Sequence, residues 1–174
     1  MKLFKRILGV IAVIVVALVV VVGAILLSRP AGFDVIPGGR LSGEEIAGPV
    51  TDWSFMQQHP IVTLEVRPSD PYSVNTSCFL HDGVPYVRSS PRFPLLQLRQ
   101  LVWGSGESHW ALLLLQDPNM RLKVGDKIYT VRATRVEDPK LVREIYENQV
   151  RRNTGSTLTA EEIERIWFFR IDSR

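Results

Sequence analysis

The chain has 174 residues, 45% hydrophobic, 22% charged and 9% aromatic, with 12 Gly, 11 Pro and a single Cys, which excludes a disordered chain, a collagen-like repeat and a disulfide scaffold. The net charge of +3 belongs to the amino-terminal end: of 21 basic residues, Lys2, Lys5, Arg6 and Arg29 lie there with no acid before Asp34, leaving 17 bases against 18 acids. The remainder is close to neutral and holds no long Lys/Arg run, so composition gives no support to nucleic-acid binding.

Residues Ile7 to Leu27 form an uncharged apolar run of 21. As a helix rising ~1.5 Å per residue, such a run spans roughly 31 Å, about the hydrocarbon thickness of a bilayer. A cleaved secretory signal competes with this reading, since Val22-Gly23-Ala24 supplies small residues. Its apolar region should be only about 7–15 residues long, and here the stretch continues through Leu27. The expectation is one amino-terminal transmembrane helix, a membrane anchor over residues 1–29 that meets the lipid bilayer through residues 7–27. Three basic residues precede the span and one follows it closely. That asymmetry places the amino terminus in the cytoplasm and the carboxy-terminal part on the periplasmic face of the inner (plasma) membrane. Cys78, with no second cysteine to pair with, suits such an oxidising side.

Residues 30–57 are rich in Pro, Gly and polar residues and read as a tether and lead-in, with Trp53 and Phe55 marking where packing begins. Residues 58–174 are enough for one domain. Ile61 to Arg67 alternates, Val62, Leu64 and Val66 sharing one face. Ser73 to Leu80 alternates again, and Asp82-Gly83 then signals a hairpin. Pro85 to Arg88 is a short return strand whose proline suggests a strand start or an edge. Leu95, Leu98, Leu101 and Val102 have helical spacing, and Glu107 to Gln116 reads as a short helix ended by Asp117-Pro118. Met120 to Val124 and Lys127 to Val136 are strands joined by Gly125-Asp126. Asp138 with Pro139 starts a helix to about Arg152, Thr159 and Glu162 form a capping box, and Ile166 to Ile171 is a closing strand. Hairpins require antiparallel pairing. The fold class is therefore mainly β with peripheral helices (α+β), an antiparallel barrel.

No phosphate loop, dinucleotide fingerprint, Gly-x-Ser-x-Gly elbow or Cys-x-x-Cys is present. His59, His81 and His109 are scattered, without the local ligand pairs of a metal motif, so no metal is expected. Cys78 lies on the apolar face of its strand, where thiols are inert. One charge feature stands out: Gly83 to Gly106 holds no acid while Arg88, Arg92 and Arg99 fall inside it, with Ser89 and Ser90 beside the first. Arginine and hydroxyl donors at a strand end can hold an anion; a solvated loop is the plainer alternative. Trp103 and Trp110 offer flat faces for a planar ligand, or are core.

The order of these pieces resembles the flavin-binding split-barrel superfamily, which includes pyridoxamine-phosphate oxidases and deazaflavin-dependent nitroreductases. The residues that carry it are Asp82-Gly83-Val84-Pro85-Tyr86-Val87, then a helix with Trp110 running into Asp117-Pro118. Met120-Arg121-Leu122-Lys123-Val124, Gly125-Asp126-Lys127-Ile128-Tyr129 and Ala133 to Pro139 follow, the whole covering roughly residues 58–172. The resemblance implies a Greek-key split β-barrel, a homodimer, and FMN or deazaflavin at the subunit interface. It also implies cofactor contacts at Arg88, Ser89 and Ser90 for the phosphate and at His109 and Trp110 beside the ring. His109 departs from the Lys or Arg expected before the tryptophan, and a neutral imidazole holds phosphate poorly. Two functions follow: a membrane-anchored flavin or deazaflavin oxidoreductase, or a non-catalytic tethered barrel without cofactor that binds a protein partner or a small anionic ligand.

Overall fold

The computed structural model describes residues 2–27, 37–89, 109–155 and 157–174. Among them, seven strands form one sheet: β1 (Glu44–Ile46), β2 (Ile61–Val66), β3 (Tyr72–His81), β4 (Val84–Ser89), β5 (Asn119–Val124), β6 (Lys127–Arg135) and β7 (Trp167–Ser173). Their order is β1-β6-β5-β2-β3-β4-β7, and a further β6–β7 pairing closes six of them into an antiparallel barrel. The closing strand β6 shares one edge between two partners. Its first residues, Lys127 to Tyr129, pair with β1 in parallel, and Val131 to Arg135 pair with β7 antiparallel.

Alternation decides which side chains go inside. Leu64, Val74, Val87, Leu122, Val131 and Phe169 belong to one buried cluster that fills the barrel. The helix α2 (His109–Gln116) adds Trp110, Ala111, Leu113 and Leu114 to that cluster. It lies by the barrel end where β3 and β5 begin. The His109 ring meets Tyr72 at 5.2 Å, and Ala133 N–H donates to the Pro118 carbonyl at 2.8 Å.

A second cluster covers the outside of β4 and β7, where Tyr86 and Phe168 pack under α3 (Pro139–Ile145) and the segments after it. These are a π-helical stretch (Tyr146–Arg151), α4 (Arg152–Thr154) and α5 (Ala160–Glu164). The helix ends have the chemistry that the sequence announces. Asp138 accepts from Lys140 N–H at 2.9 Å, Gly155 leaves the helix at φ 64°, and Thr159 with Glu162 forms a reciprocal capping box.

Two strand-level expectations need refinement. The Pro85 strand is no edge: β4 lies between β3 and β7. Its proline is tolerated because β7 pairs with β4 only from Tyr86 onward, so the missing N–H breaks no bond on that side. The lead-in is also more ordered than its composition suggests. Glu44–Ile46 forms β1, Gly38 bridges Ser73, and Leu41 is buried. A polar clasp holds it. The fully buried Glu65 carboxylate accepts from Leu41 N–H at 2.5 Å and from Arg121 Nη1 at 2.6 Å, while Arg121 Nη2 reaches Glu45.

The backbone of Lys2–Leu27 is one helix, α1. The side chains described in it are those of residues 9–21 and 23, shorter than the apolar run of the sequence. Among the described residues no helix is long and apolar enough to cross a membrane. The helical spacing at Leu95 to Val102 lies outside the described residues.

Candidate functional site

The acid-free segment takes in the whole of β4 and continues past its carboxy-terminal end. There the pleat separates Arg88 from Ser89. Ser89 is opposite Trp167 in the β4–β7 register, two residues from the Val87–Phe169 pair. Val87 and Phe169 face the barrel interior, so Ser89 and Trp167 do as well. Arg88 is opposite Phe168 and faces the outer layer. Its guanidinium lies 5.5 Å from the Phe79 ring centroid. Burial lowers its pKa from the ordinary arginine value, with Tyr146 opposing the shift. Arg88 is thus a half-buried cation by Phe79 and Tyr146 on the outer side, and the pleat turns it away from Ser89.

A different arginine shares Trp167 with Ser89. Arg135 ends β6 on the interior side, in step with Val131 and Ala133. Its guanidinium carbon lies 4.0 Å from the Trp167 ring centroid, a close cation–π stack. Two buried polar atoms here make no hydrogen bond among the described residues: Ser89 Oγ and Arg135 Nε. Ser89 is only 2% exposed, so bulk water does not satisfy its hydroxyl. An orphaned buried donor costs about 1–3 kcal/mol, so two of them flanking one tryptophan need an account. A hydroxyl and a guanidinium together make a donor set for one oxyanion.

The other expected contacts divide. Trp110 is 3% exposed and packs on Phe169 with ring centroids 5.6 Å apart, so it is core. His109 sits at the start of α2 against Tyr72. Ser90 and Trp103 lie outside the described residues. Arg135 also borders a cleft of about 350 Å³, but Glu137 and Glu164 share its wall and oppose an anion there. Cys78 is buried, and burial pushes its thiol up to about 12, which removes it as a nucleophile at neutral pH.

The sequence reading missed Arg135 and Trp167. Arg135 is 46 positions after Ser89, and only the β6–β7 closure brings it there. The available signal was periodic: Val131, Ala133 and Arg135 fall on one strand face, so a charged residue ends an apolar row.

No protein-family model matches the sequence, and no curated protein matches it. Solved structures do. A protein of Listeria innocua provisionally assigned as a pyridoxamine 5′-phosphate oxidase is 16% identical, with TM-score 0.47, over 70% of this chain and 89% of that one. General Stress Protein 26 of Bacillus anthracis is 21% identical, with TM-score 0.45, over 68% of this chain and 82% of that one. A NimC/NimA family protein of Clostridium acetobutylicum is 10% identical, with TM-score 0.43, over 67% and 76%. At such identities and TM-scores these structures carry no residue's role over to this chain. The six-stranded antiparallel barrel itself stands on the strand order and the β6–β7 closure.

Proposed function

We propose that this protein is a membrane-tethered split barrel that binds the phosphate of a flavin-type cofactor, FMN or a deazaflavin, and belongs to oxidoreductase chemistry. The observation that supports it most is the pair of orphaned buried donors, Ser89 Oγ and Arg135 Nε, on either side of Trp167. A phosphate group would offer oxygens to both, and the guanidinium would supply the opposite charge. Trp167 holds the guanidinium in place, so less side-chain entropy is lost on binding. In this reading His109, which packs on Tyr72 at the start of α2, would border the ligand. A flavin, when bound, supplies the electron transfer that no side chain here provides. The ring then lies toward a second copy of the chain, the homodimeric partner that the resemblance implies.

The tether in this reading is the run 7–27, supported by its hydropathy and by the helical backbone of Lys2–Leu27. The basic residues on its amino-terminal side orient the barrel to the periplasmic face. Protease added outside spheroplasts should degrade the barrel; protection until lysis would refute that orientation.

Absorbance of the full-length protein in detergent, followed by FMN titration with flavin fluorescence as the signal, tests the cofactor. Arg135→Ala should weaken binding by about 10–100-fold, the loss of one charge-assisted hydrogen bond of about 1.5–3 kcal/mol. A colourless protein that quenches no added flavin refutes the cofactor reading. A second reading then holds, the non-catalytic barrel with a small anion or a protein partner. One observation favours it: Trp110 is buried and the Trp167 face carries Arg135, so neither tryptophan is open to a planar ring. It predicts inorganic phosphate binding that Arg135→Ala removes, without any flavin response.

A further inference from the structure

Away from that end of the barrel, the β3–β4 hairpin and α3 bring two neighbouring residues together with a third from a distant part of the chain. His81 ends β3, Asp82 is the first turn residue, and Glu144 lies in the last turn of α3. Asp82 adopts φ 51°, a left-handed conformation that Asp tolerates, and this turn sets its carboxylate beside the histidine. His81 Nε2 stands 3.4 Å from Glu144 Oε1 and 3.8 Å from Asp82 Oδ2. The three donor atoms all lie within 4.8 Å of one another.

Those spacings are too long for charge-assisted hydrogen bonds, which run about 2.7–2.9 Å. The 3.4 Å spacing suits donors sharing one ion, and a small rotation of the exposed Asp82 side chain brings the 3.8 Å one to the same range. Bonds of about 2.0–2.2 Å from nitrogen and carboxylate oxygen set tetrahedral donor edges at about 3.3–3.6 Å. The burial is uneven in the same sense. The His81 side chain is 8% exposed, while Asp82 and Glu144 are 89% and 56% exposed, so the buried ring points its nitrogen at an open pair of carboxylates. Nearby arginines are engaged elsewhere: Arg143 pairs with Glu164 at 3.7 Å and Arg170 with Asp172 at 3.0 Å. Among the described residues no lysine or arginine forms an ion pair with Asp82 or Glu144. Two carboxylates without a guanidinium, facing an imidazole, lack a cation.

We infer that His81, Asp82 and Glu144 form a binding site for a divalent first-row transition cation of the Zn²⁺ or Mn²⁺ class. The imidazole nitrogen selects against the hard oxygen-seeking ions Mg²⁺ and Ca²⁺. The two carboxylates match the ion's double charge, and solvent at the exposed side fills the remaining coordination positions. Bound there, the ion pins the β3–β4 hairpin to α3, which already shares the outer core with β4. The scattered histidine spacing in the sequence hides the site, because Glu144 reaches it only through the packing of α3.

The test is a competition titration of the tag-free full-length protein in detergent with Zn²⁺ and then Mn²⁺, read through a chromophoric chelator. Asp82→Asn and Glu144→Gln are the variants, since both sites are exposed and neither change disturbs the core. One equivalent should bind, each variant should weaken affinity at least tenfold, and Mg²⁺ in large excess should not displace the ion. His59→Ala, on a histidine elsewhere, should leave affinity within threefold of the parent. Absence of binding at micromolar metal, or a loss below tenfold in either variant, overturns the inference. So does an equal loss in His59→Ala.

Discussion

Arg121→Met probes the clasp that turns the lead-in into part of the barrel. Glu65 is 0% exposed, and its Oε2 atom accepts from Leu41 N–H at 2.5 Å and from Arg121 Nη1 at 2.6 Å. Its other oxygen, Oε1, makes no hydrogen bond among the described residues, so the guanidinium is its principal charge compensation. Removing one partner of a buried pair strands the other charge and costs about 3–5 kcal/mol. For a domain of this size 1 kcal/mol moves the melting point by about 4 °C, so Arg121→Met should lower it by about 12–20 °C. The Glu45 arm is different. It is 58% exposed, and Glu45→Gln should cost about 1 kcal/mol or less. The double variant Glu65→Leu/Arg121→Met removes both charges and should regain most of the loss, short by about 1–2 kcal/mol for the buried Leu41 N–H left without an acceptor. Tryptophan fluorescence of the full chain during heating reads all four proteins. A drop below about 4 °C in Arg121→Met, or a double variant no better than the single one, would show that the charge is not buried as described.

Other consequences are independent of that pair. Cys78 should resist iodoacetamide at pH 8 until the protein unfolds, because burial holds its thiol near 12. Its folded value lies above the ordinary 9.0, so its stabilisation is complete below pH 9 and is lost as pH rises, by about 1.4 kcal/mol at pH 10. Cys78→Ala should flatten that alkaline loss, and an unchanged slope would count against it. Gly43→Ala places a Cβ against the Asp126 carbonyl, where β1 runs beside the β5–β6 turn, and should expose the amides of Glu44–Ile46 to hydrogen exchange while β2–β5 pairing stays protected. Asp138→Ala removes the acceptor of Lys140 N–H and should cost about 1 kcal/mol in thermal unfolding.

The local signals in this chain are strong where one rule dominates. Asp82-Gly83 and Gly125-Asp126 turn because backbone at φ 51°, 78° and 60° suits those residues, and both hairpins could be read directly. The same is true of Asp138-Pro139 and of the Thr159–Glu162 box, whose hydrogen bonds are made within a few residues. Period-two alternation announced β2 and β3 and the inward set Val62, Leu64 and Val66. Charge counting located the acid-free stretch from Gly83 to Gly106, which contains Ser89.

What the sequence left open depends on which strand meets which. Nothing local says that β6 divides one edge between β1 and β7, yet that pairing closes the barrel and carries Arg135 to Trp167, the strand partner of Ser89. The pleat then reverses the expected roles of two neighbours: Arg88 goes out under Phe79 and Tyr146, and Ser89 goes in. Leu41 and Glu44–Ile46 looked like tether because short polar segments lack periodicity; a carboxylate and a guanidinium on β2 and β5 order them. Sequence fixes turns, caps and alternation, since those are set by dihedral preference and hydrogen bonds over a few residues. Sites made of Ser89 with Arg135, or of His81 with Glu144, exist only once distant strands and helices are packed, because their attraction is too weak to specify the pairing that creates them.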